Sequence, residues 1–190
     1  MGWRAGAATA IFCAGLVLAG AAGAAKPLTV YQSLVVSPYA NAELPAGFSR
    51  AQVVPATLTS AARGAQRVVG ALQFVVTGPD PNDEIMYAVY VTPAAARHAF
   101  QHAVSASSGF HVRFAGSVRG VAGPSAMYVG TGTNASGAAY GVSIAGALER
   151  NVVVSVMTDA RAKQRGNSAA TRALLRSGVR HLAGVLGTTA

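Results

Sequence analysis

Cysteine is nearly absent from this chain. The one cysteine among 190 residues is Cys13, which lies inside an apolar N-terminal run. If that run is removed, the remaining chain has no thiol, which excludes disulfide bonds, thiolate catalysis, cysteine-ligated zinc and iron–sulfur clusters. The remaining chain of about 165 residues can still form a stable core, because a domain of this size buries roughly two-thirds of its unfolded surface.

Acidic residues are also scarce. Six Asp and Glu stand against fifteen Lys and Arg, which gives a formal net charge of +9 at pH 7. This excess favours an anionic partner, and either an anionic component of the cell envelope or an acidic protein would suit it. We do not expect nucleic acid as the partner of an exported chain. The compositional bias of a GC-rich bacterial genome is the alternative explanation of the charge.

The N-terminal 25 residues have the layout of a secretory signal peptide. A short basic start precedes a run of small and apolar residues that carries no charge before Lys26. An Ala-Gly-Ala motif ends at Ala24, so we expect residues 1–25 to be removed near Ala24 or Ala25. The alternative is an uncleaved N-terminal anchor, because the uncharged run is long enough to span a bilayer. Either way the sequence predicts a secreted, periplasmic or envelope-bound domain with no membrane span in its mature part.

β-Branched and aromatic residues recur in short runs separated by turn residues. This pattern predicts strands over 67–76, 84–91, 110–118, 125–132, 138–147 and 151–158. The short connections between the last of these runs indicate an antiparallel meander.

Two segments have the signals of helices. Thr92 and Pro93 suit the cap and first position of a helix that runs to residue 106. A second helix is predicted to begin at Ser168, with an apolar stripe formed by Leu175, Val179, Leu182 and Leu186. We therefore predict an α+β fold in which an antiparallel β-sheet has two helices packed on one face, as a two-layer sandwich.

The mature chain is predicted to be one domain over residues 26–190. Within it, residues 26–66 are expected to contain an N-terminal strand at 28–36 and a long extended connection. Residues 67–187 are expected to form the α+β core.

Three of the six acids lie close together, at Asp80, Asp83 and Glu84. A calcium-binding loop of the EF-hand type would need glycine where Ile85 stands and glutamate where Val91 stands. Asp and Asn side chains also stabilise turns by bonding to their own backbone. We therefore interpret this cluster as part of a turn between two strands.

His98 and His102 are four residues apart on the first predicted helix. This spacing lets two imidazoles chelate a divalent metal from one side of a helix. Helical geometry puts both on the side away from Phe100, so we expect them to face solvent. Because a catalytic zinc needs three convergent protein ligands, the pair predicts weak metal binding at most. No cofactor motif is found, and no cofactor is expected.

Residues 141–145 contain a relaxed form of the Gly-x-Ser-x-Gly motif of hydrolases, with Ser143 at its centre. That motif works because a sharp strand-to-helix turn exposes the serine. The residues around Ser143 predict strand, turn and strand instead. We expect an ordinary strand residue here and predict no catalytic residues.

Arginines recur near the C-terminus. Arg172, Arg176 and Arg180 form an i, i+4, i+8 row on the second predicted helix, and such a row ordinarily solvates one side of a packed helix. As a functional surface it would bind anions, and the preceding loop would add Arg161, Lys163 and Arg165.

These features predict a non-enzymatic binding or sensing domain exported by a bacterium. Its ligand is unknown, and an anionic surface or partner would suit its charge. The alternatives are a secreted hydrolase that uses Ser143 and a weak metal carrier that uses His98 and His102.

Overall fold

A computed structural model describes residues 27–37, 39–55, 67–79, 83–102, 110–133, 137–162 and 166–188. In chain order, the elements of these ranges are α1 (Pro27–Val36), a 3₁₀ turn (Asn41–Glu43), β1 (Ser49–Pro55), β2 (Val68–Thr77), β3 (Asp83–Tyr90), α2 (Pro93–His102), β4 (Phe110–Gly116), β5 (Ser125–Thr133), β6 (Ala139–Glu149), β7 (Val152–Ala162) and α3 (Ser168–Thr188).

The seven strands form one sheet in the order β1-β2-β3-β7-β6-β5-β4, and every neighbouring pair is antiparallel. Strands β1–β3 and β4–β7 are two meanders, which join where β3 pairs with β7. The register of this junction runs from Glu84 opposite Met157 to Val89 opposite Val152. The predicted antiparallel sheet and the α+β class are confirmed.

Both faces of the sheet are covered, because successive residues of a strand point to opposite sides. Helices α1 and α3 pack with Phe74, Tyr87 and Val154 on one face, which we call the α1/α3 face. Helix α2 packs with Met86 and Ala88 on the other, the α2 face. The central strand β7 is therefore buried on both sides, which explains its nearly continuous apolar sequence.

The two helices that share a face of the sheet are α1 and α3, the first and the last in the chain, whereas α2 covers the other face. The helix predicted after Thr92 forms as α2, and Thr92 Oγ1 accepts a hydrogen bond from the Ala95 N–H at 3.1 Å. Its buried side chains, Ala96 and Ala99, lie on the face opposite α3. Periodicity shows which side of a helix is buried, but it does not show which face of the sheet the helix covers.

Residues 28–36 correct the sequence prediction, since they form helix α1 and not a strand. Val30 and Leu34, one helical turn apart, are both buried in the core of the α1/α3 face. Tyr31 lies against Gly70 of β2, where a larger residue would collide with its ring. The β-branched residues of this segment favour a strand locally, but the i, i+4 spacing supplies a helical stripe that packs on the sheet.

Helix α3 begins at Ser168, as the sequence predicts, and Asn167 caps it. The Asn167 Oδ1 accepts a hydrogen bond from the Ala170 N–H at 3.1 Å, which satisfies one free donor of the first turn. The predicted stripe is confirmed, because Leu175, Leu182 and Leu186 are buried.

Helix α3 approaches the sheet closely at Gly178. A Cβ at this position would lie 3.0 Å from Val154 Cγ1 and 3.2 Å from Ile85 Cγ2. The Tyr87 hydroxyl donates a hydrogen bond to the Gly178 carbonyl at 2.9 Å. The missing side chain therefore lets the helix rest directly on β3 and β7.

Replacing Gly178 with leucine should lower the free energy of unfolding by about 1–3 kcal/mol, because the new side chain would displace packed residues of β3 and β7. Gly184 is a matched control in the same helix, since a Cβ there would meet nothing within 4 Å. Gly184→Ala should raise the free energy of unfolding by about 0.5–1 kcal/mol through helix propensity. Urea denaturation measures both changes, and a shift of the same sign in both variants would contradict the close contact at Gly178.

Candidate functional site

The predicted arginine row forms one side of α3. Arg172 and Arg176 are partly buried and Arg180 is exposed. The Arg176 Nε donates a hydrogen bond to the carbonyl oxygen of Arg119 at 2.8 Å, and the Arg119 side chain is itself exposed. We call Arg119, Arg172, Arg176 and Arg180 the basic strip.

Arg119 is carried by the connection between β4 and β5, which the protein holds in place at several points. Val118 is buried in the core of the α1/α3 face, and its N–H donates to Ser125 Oγ at 3.0 Å. The Pro124 carbonyl accepts a hydrogen bond from the Leu148 N–H at 3.0 Å. Sequence reasoning missed Arg119, because no local pattern shows that this connection folds back onto α3.

The positive charge of the basic strip is not neutralised within the described parts of the chain, where no carboxylate pairs with any of its four arginines. The carboxylate that does bind α3 is Glu43, and it binds a different side chain. Both Glu43 oxygens lie 3.2 Å from His181 Nδ1, and Oε2 also accepts the Ala40 N–H at 2.9 Å. Burial opposes ionisation of Glu43, but the bonds from Ala40 and His181 outweigh it and lower its pKa.

Glu43 is tied to α3 through a cluster of polar and aromatic side chains. The Tyr39 ring stacks on His181 with the ring centroids 4.2 Å apart, and its hydroxyl lies 3.2 Å from Ser177 Oγ. Ser177 Oγ also donates to the Glu43 carbonyl. This cluster keeps the 3₁₀ turn on α3 and engages Glu43 with His181 instead of an arginine.

Three further carboxylates lie at the end of the sheet where β3 begins and β7 ends. Asp83 and Glu84 are the first two residues of β3 rather than part of an exposed turn, whereas Asp80 lies outside the described residues. Alternation along β3 places Asp83, which is 1% exposed, on the α1/α3 face and Glu84 on the α2 face. Asp159 of β7 alternates with Met157 and shares the α2 face with Glu84.

The Glu84 carboxyl ionises with difficulty. Its burial is the main cause, and the charge of Asp159 adds to it. Together they outweigh a hydrogen bond from Gln73 Nε2 and raise the pKa of Glu84 to about 7. Burial, with Asp159 and Glu84 adding to it, also raises the pKa of Tyr140 on the same face.

The structure brings His98 and His102 together, with ring centroids 4.4 Å apart and a tilt of 40°. His102 is exposed, while His98 is partly buried and its Nδ1 has no hydrogen-bond partner. Across the described ranges, no third His, Cys, Asp or Glu joins them as a potential ligand. Metal binding by this pair stays a prediction.

Ser143 lies in the middle of β6 and is fully buried. The chain continues as strand on both sides of it, so the strand-to-helix turn that exposes a nucleophilic serine is not formed at this position. Gly166 packs so closely on Ser143 that a Cβ there would lie 2.5 Å from the serine Oγ. This geometry does not favour a hydrolase site at Ser143.

Several sequence predictions fall where the structure describes little or nothing. Arg161 is the penultimate residue of β7, and Lys163 and Arg165 lie outside the described residues, as do residues 1–25 with their predicted signal peptide. Among the described helices, none has the length and apolar character needed to cross a membrane.

Replacing Glu84 with glutamine should change how stability depends on pH. Because the pKa of Glu84 is raised from 4.5 to about 7, the folded state binds more protons than the unfolded state between these values. The free energy of unfolding of the original chain therefore falls as pH rises through this window, by roughly 1–3 kcal/mol, and levels off above pH 7.

The Glu84→Gln variant lacks this fall and should gain stability relative to the original chain as pH rises from 5 to 8. Glutamine keeps an oxygen that can accept the bond from Gln73. Urea denaturation at several pH values measures the difference. If the free energies of unfolding of the two chains changed in parallel between pH 5 and 8, the result would contradict a raised pKa at Glu84.

Comparison with solved structures gives only weak structural likeness. No protein-family model matches the chain, and no curated protein sequence matches it. Among solved structures, the extracellular domain of PknH from Mycobacterium tuberculosis is similar over 74% of this chain and 78% of that chain, with 14% sequence identity and a TM-score of 0.39. At this level of similarity no functional residue is transferred from that domain to this chain.

Proposed function

We propose that this chain is an exported binding domain and that its basic strip binds an anionic partner. One observation carries the proposal: four arginines lie along one side of α3 and the adjoining connection, and no carboxylate in the described ranges pairs with them. A guanidinium group presents paired donors that match carboxylate and phosphate oxygens.

The strip is held in place before any partner binds. Arg176 is bonded to the Arg119 carbonyl, and the connection that carries Arg119 is anchored in the core through Val118. Less side-chain entropy is therefore lost on binding than for arginines on a mobile segment.

Export is supported by the N-terminal sequence alone. Its basic start, long uncharged run and small-residue cleavage motif are typical of a secretory signal. The domain would then act outside the cytoplasm, where anionic polymers, lipid head groups and acidic proteins are available partners.

Replacing Arg172 and Arg180 together with glutamine should weaken binding to immobilised poly-glutamate about tenfold at low salt, since each arginine near an anionic surface contributes about 1 kcal/mol or less. Arg176 is left intact because it holds the β4–β5 connection. Surface plasmon resonance at 20 and 200 mM salt measures the effect, and the higher salt should remove most of the binding of the original chain.

The matched control removes the same number of charges elsewhere. Arg97 on α2 and Arg150 in the β6–β7 turn are both exposed, and the double variant Arg97→Gln/Arg150→Gln should keep most of the binding. Equal losses in the two double variants would show that net charge attracts the polyanion and would contradict a site on α3.

A further inference from the structure

One edge of the sheet is open in the described part of the protein. β4 ends the strand order with β5 as its neighbour, and most of its residues are exposed. Each edge strand has one irregularity of register, between Ser49 and Ala51 in β1 and between Phe114 and Gly116 in β4. The two edges differ in that β1 ends at Pro55, which has no N–H to donate, whereas β4 contains no proline and pairs regularly with β5 from Phe110 to Phe114.

The two sides of β4 differ in chemistry. Arg113 is opposite Val129 of β5, which packs in the core of the α1/α3 face, so Arg113 points to that face. His111 alternates with it and points the same way. Phe110, Val112 and Phe114 point to the α2 face.

The basic side of β4 lies on the same face as the basic strip. Along the sheet, Arg113, Val129, Ser143 and Thr158 are successive cross-strand partners, and Thr158 Oγ1 bonds to Thr171 Oγ1 on α3 at 2.8 Å. Three strand spacings, about 14 Å, thus separate Arg113 from the strand beneath α3. The strip faces this half of the sheet, because Arg176 bonds to the connection between β4 and β5.

The other side of β4 offers an aromatic anchor. Phe114 is 62% exposed, and it meets Tyr128 of β5 edge to face with ring centroids 5.6 Å apart. A strand added beyond β4 would cover part of this ring with its own apolar side chains. Its alternate side chains would lie beside Arg113 and His111, where opposite charges in neighbouring strands stabilise pairing.

An acidic strand suits the charge of this edge. If two β4 strands from two copies paired antiparallel about Arg113, the two arginines would face each other, and like charges directly opposite destabilise a strand pair. An acidic residue opposite Arg113 stabilises the pair instead, so the edge favours an acidic strand.

We propose that β4 pairs, through its backbone, with an extended segment of a protein partner in which acidic and apolar residues alternate. The acidic side chains lie beside Arg113 and His111 and are attracted by the basic strip, and the apolar side chains cover Phe114. This proposal rests on the proposed function, since the basic strip supplies the attraction, and it adds the class of partner and the mode of binding.

The first test uses a capped nine-residue peptide of alternating glutamate and valine and the full chain without its predicted signal peptide. Two further peptides carry N-methyl groups on all glutamates or on all valines. In a paired strand one alternate set of N–H groups faces β4, so one methylated peptide should bind at least tenfold more weakly and the other should bind like the parent. Equal affinities for the two methylated peptides would overturn backbone pairing.

The second test reverses the charge on β4. Arg113→Glu should weaken binding of the glutamate–valine peptide at least tenfold and should improve binding of the matching lysine–valine peptide. Arg97→Glu, on α2, makes the same change away from the edge and should alter neither affinity more than about twofold if the effect is local. Failure of the lysine peptide to gain affinity for Arg113→Glu would overturn the assignment of acidic side chains to this position.

The outcomes separate this proposal from the proposed function. In one outcome, poly-glutamate binding depends on Arg172 and Arg180, but N-methylation of the peptide has no effect. That result would overturn the strand pairing and would leave the basic strip as the binding site. Strong binding to phosphatidylglycerol vesicles with none to the alternating peptide would overturn the protein partner in favour of a lipid surface. Loss of all polyanion binding would overturn both.

Discussion

The pairing of β3 with β7 is the interaction on which the rest of the structure depends. It joins two meanders that are otherwise separate in the strand order, and both strands are buried on both faces of the sheet. Helix α3 rests on these strands through the Thr158–Thr171 hydroxyl contact and the close approach at Gly178. Because α3 is fixed there, with the connection beyond β4 packed against it, its arginine row faces the β5–β4 half of the sheet.

The surface charge follows from where the fold places its few carboxylates. The fold engages four of the six acids: Asp83 and Asp159 are buried, Glu84 is partly buried, and Glu43 is exposed but bound to His181. Glu43 is held by His181, and the other three lie at one end of the sheet. The exposed surface therefore has few carboxylates left to pair with its arginines.

Short-range patterns predicted much of this arrangement. Alternation and turn residues located β2 to β7, and cap signals with an apolar stripe located α2 and the start of α3. Strand β1 was missed, because Ser49–Pro55 falls in the segment that the sequence predicts to be an extended connection. The arginine row was visible for the same reason, because residues four apart share one side of a helix.

The features that escaped prediction depend on contacts between distant parts of the chain. Residues 28–36 favour a strand by local propensity and become a helix because Val30 and Leu34 find a core on the sheet. Nothing local assigns α2 to the face opposite α3. Glu43 and His181 are 138 residues apart, and Arg119 joins the basic strip through a backbone carbonyl that has no sequence signature. These are tertiary placements, and they decide which charges remain available to a partner.

We propose that the binding surface lies on the α1/α3 face, between α3 and the β4 edge. Amide chemical-shift mapping with poly-glutamate, on the chain without its predicted signal peptide, tests this placement most directly. We predict that the largest shifts fall in residues 110–120 and 172–180, with small changes in α2. Shifts concentrated in α2 or at the β1 edge, or spread evenly over all exposed arginines, would contradict it.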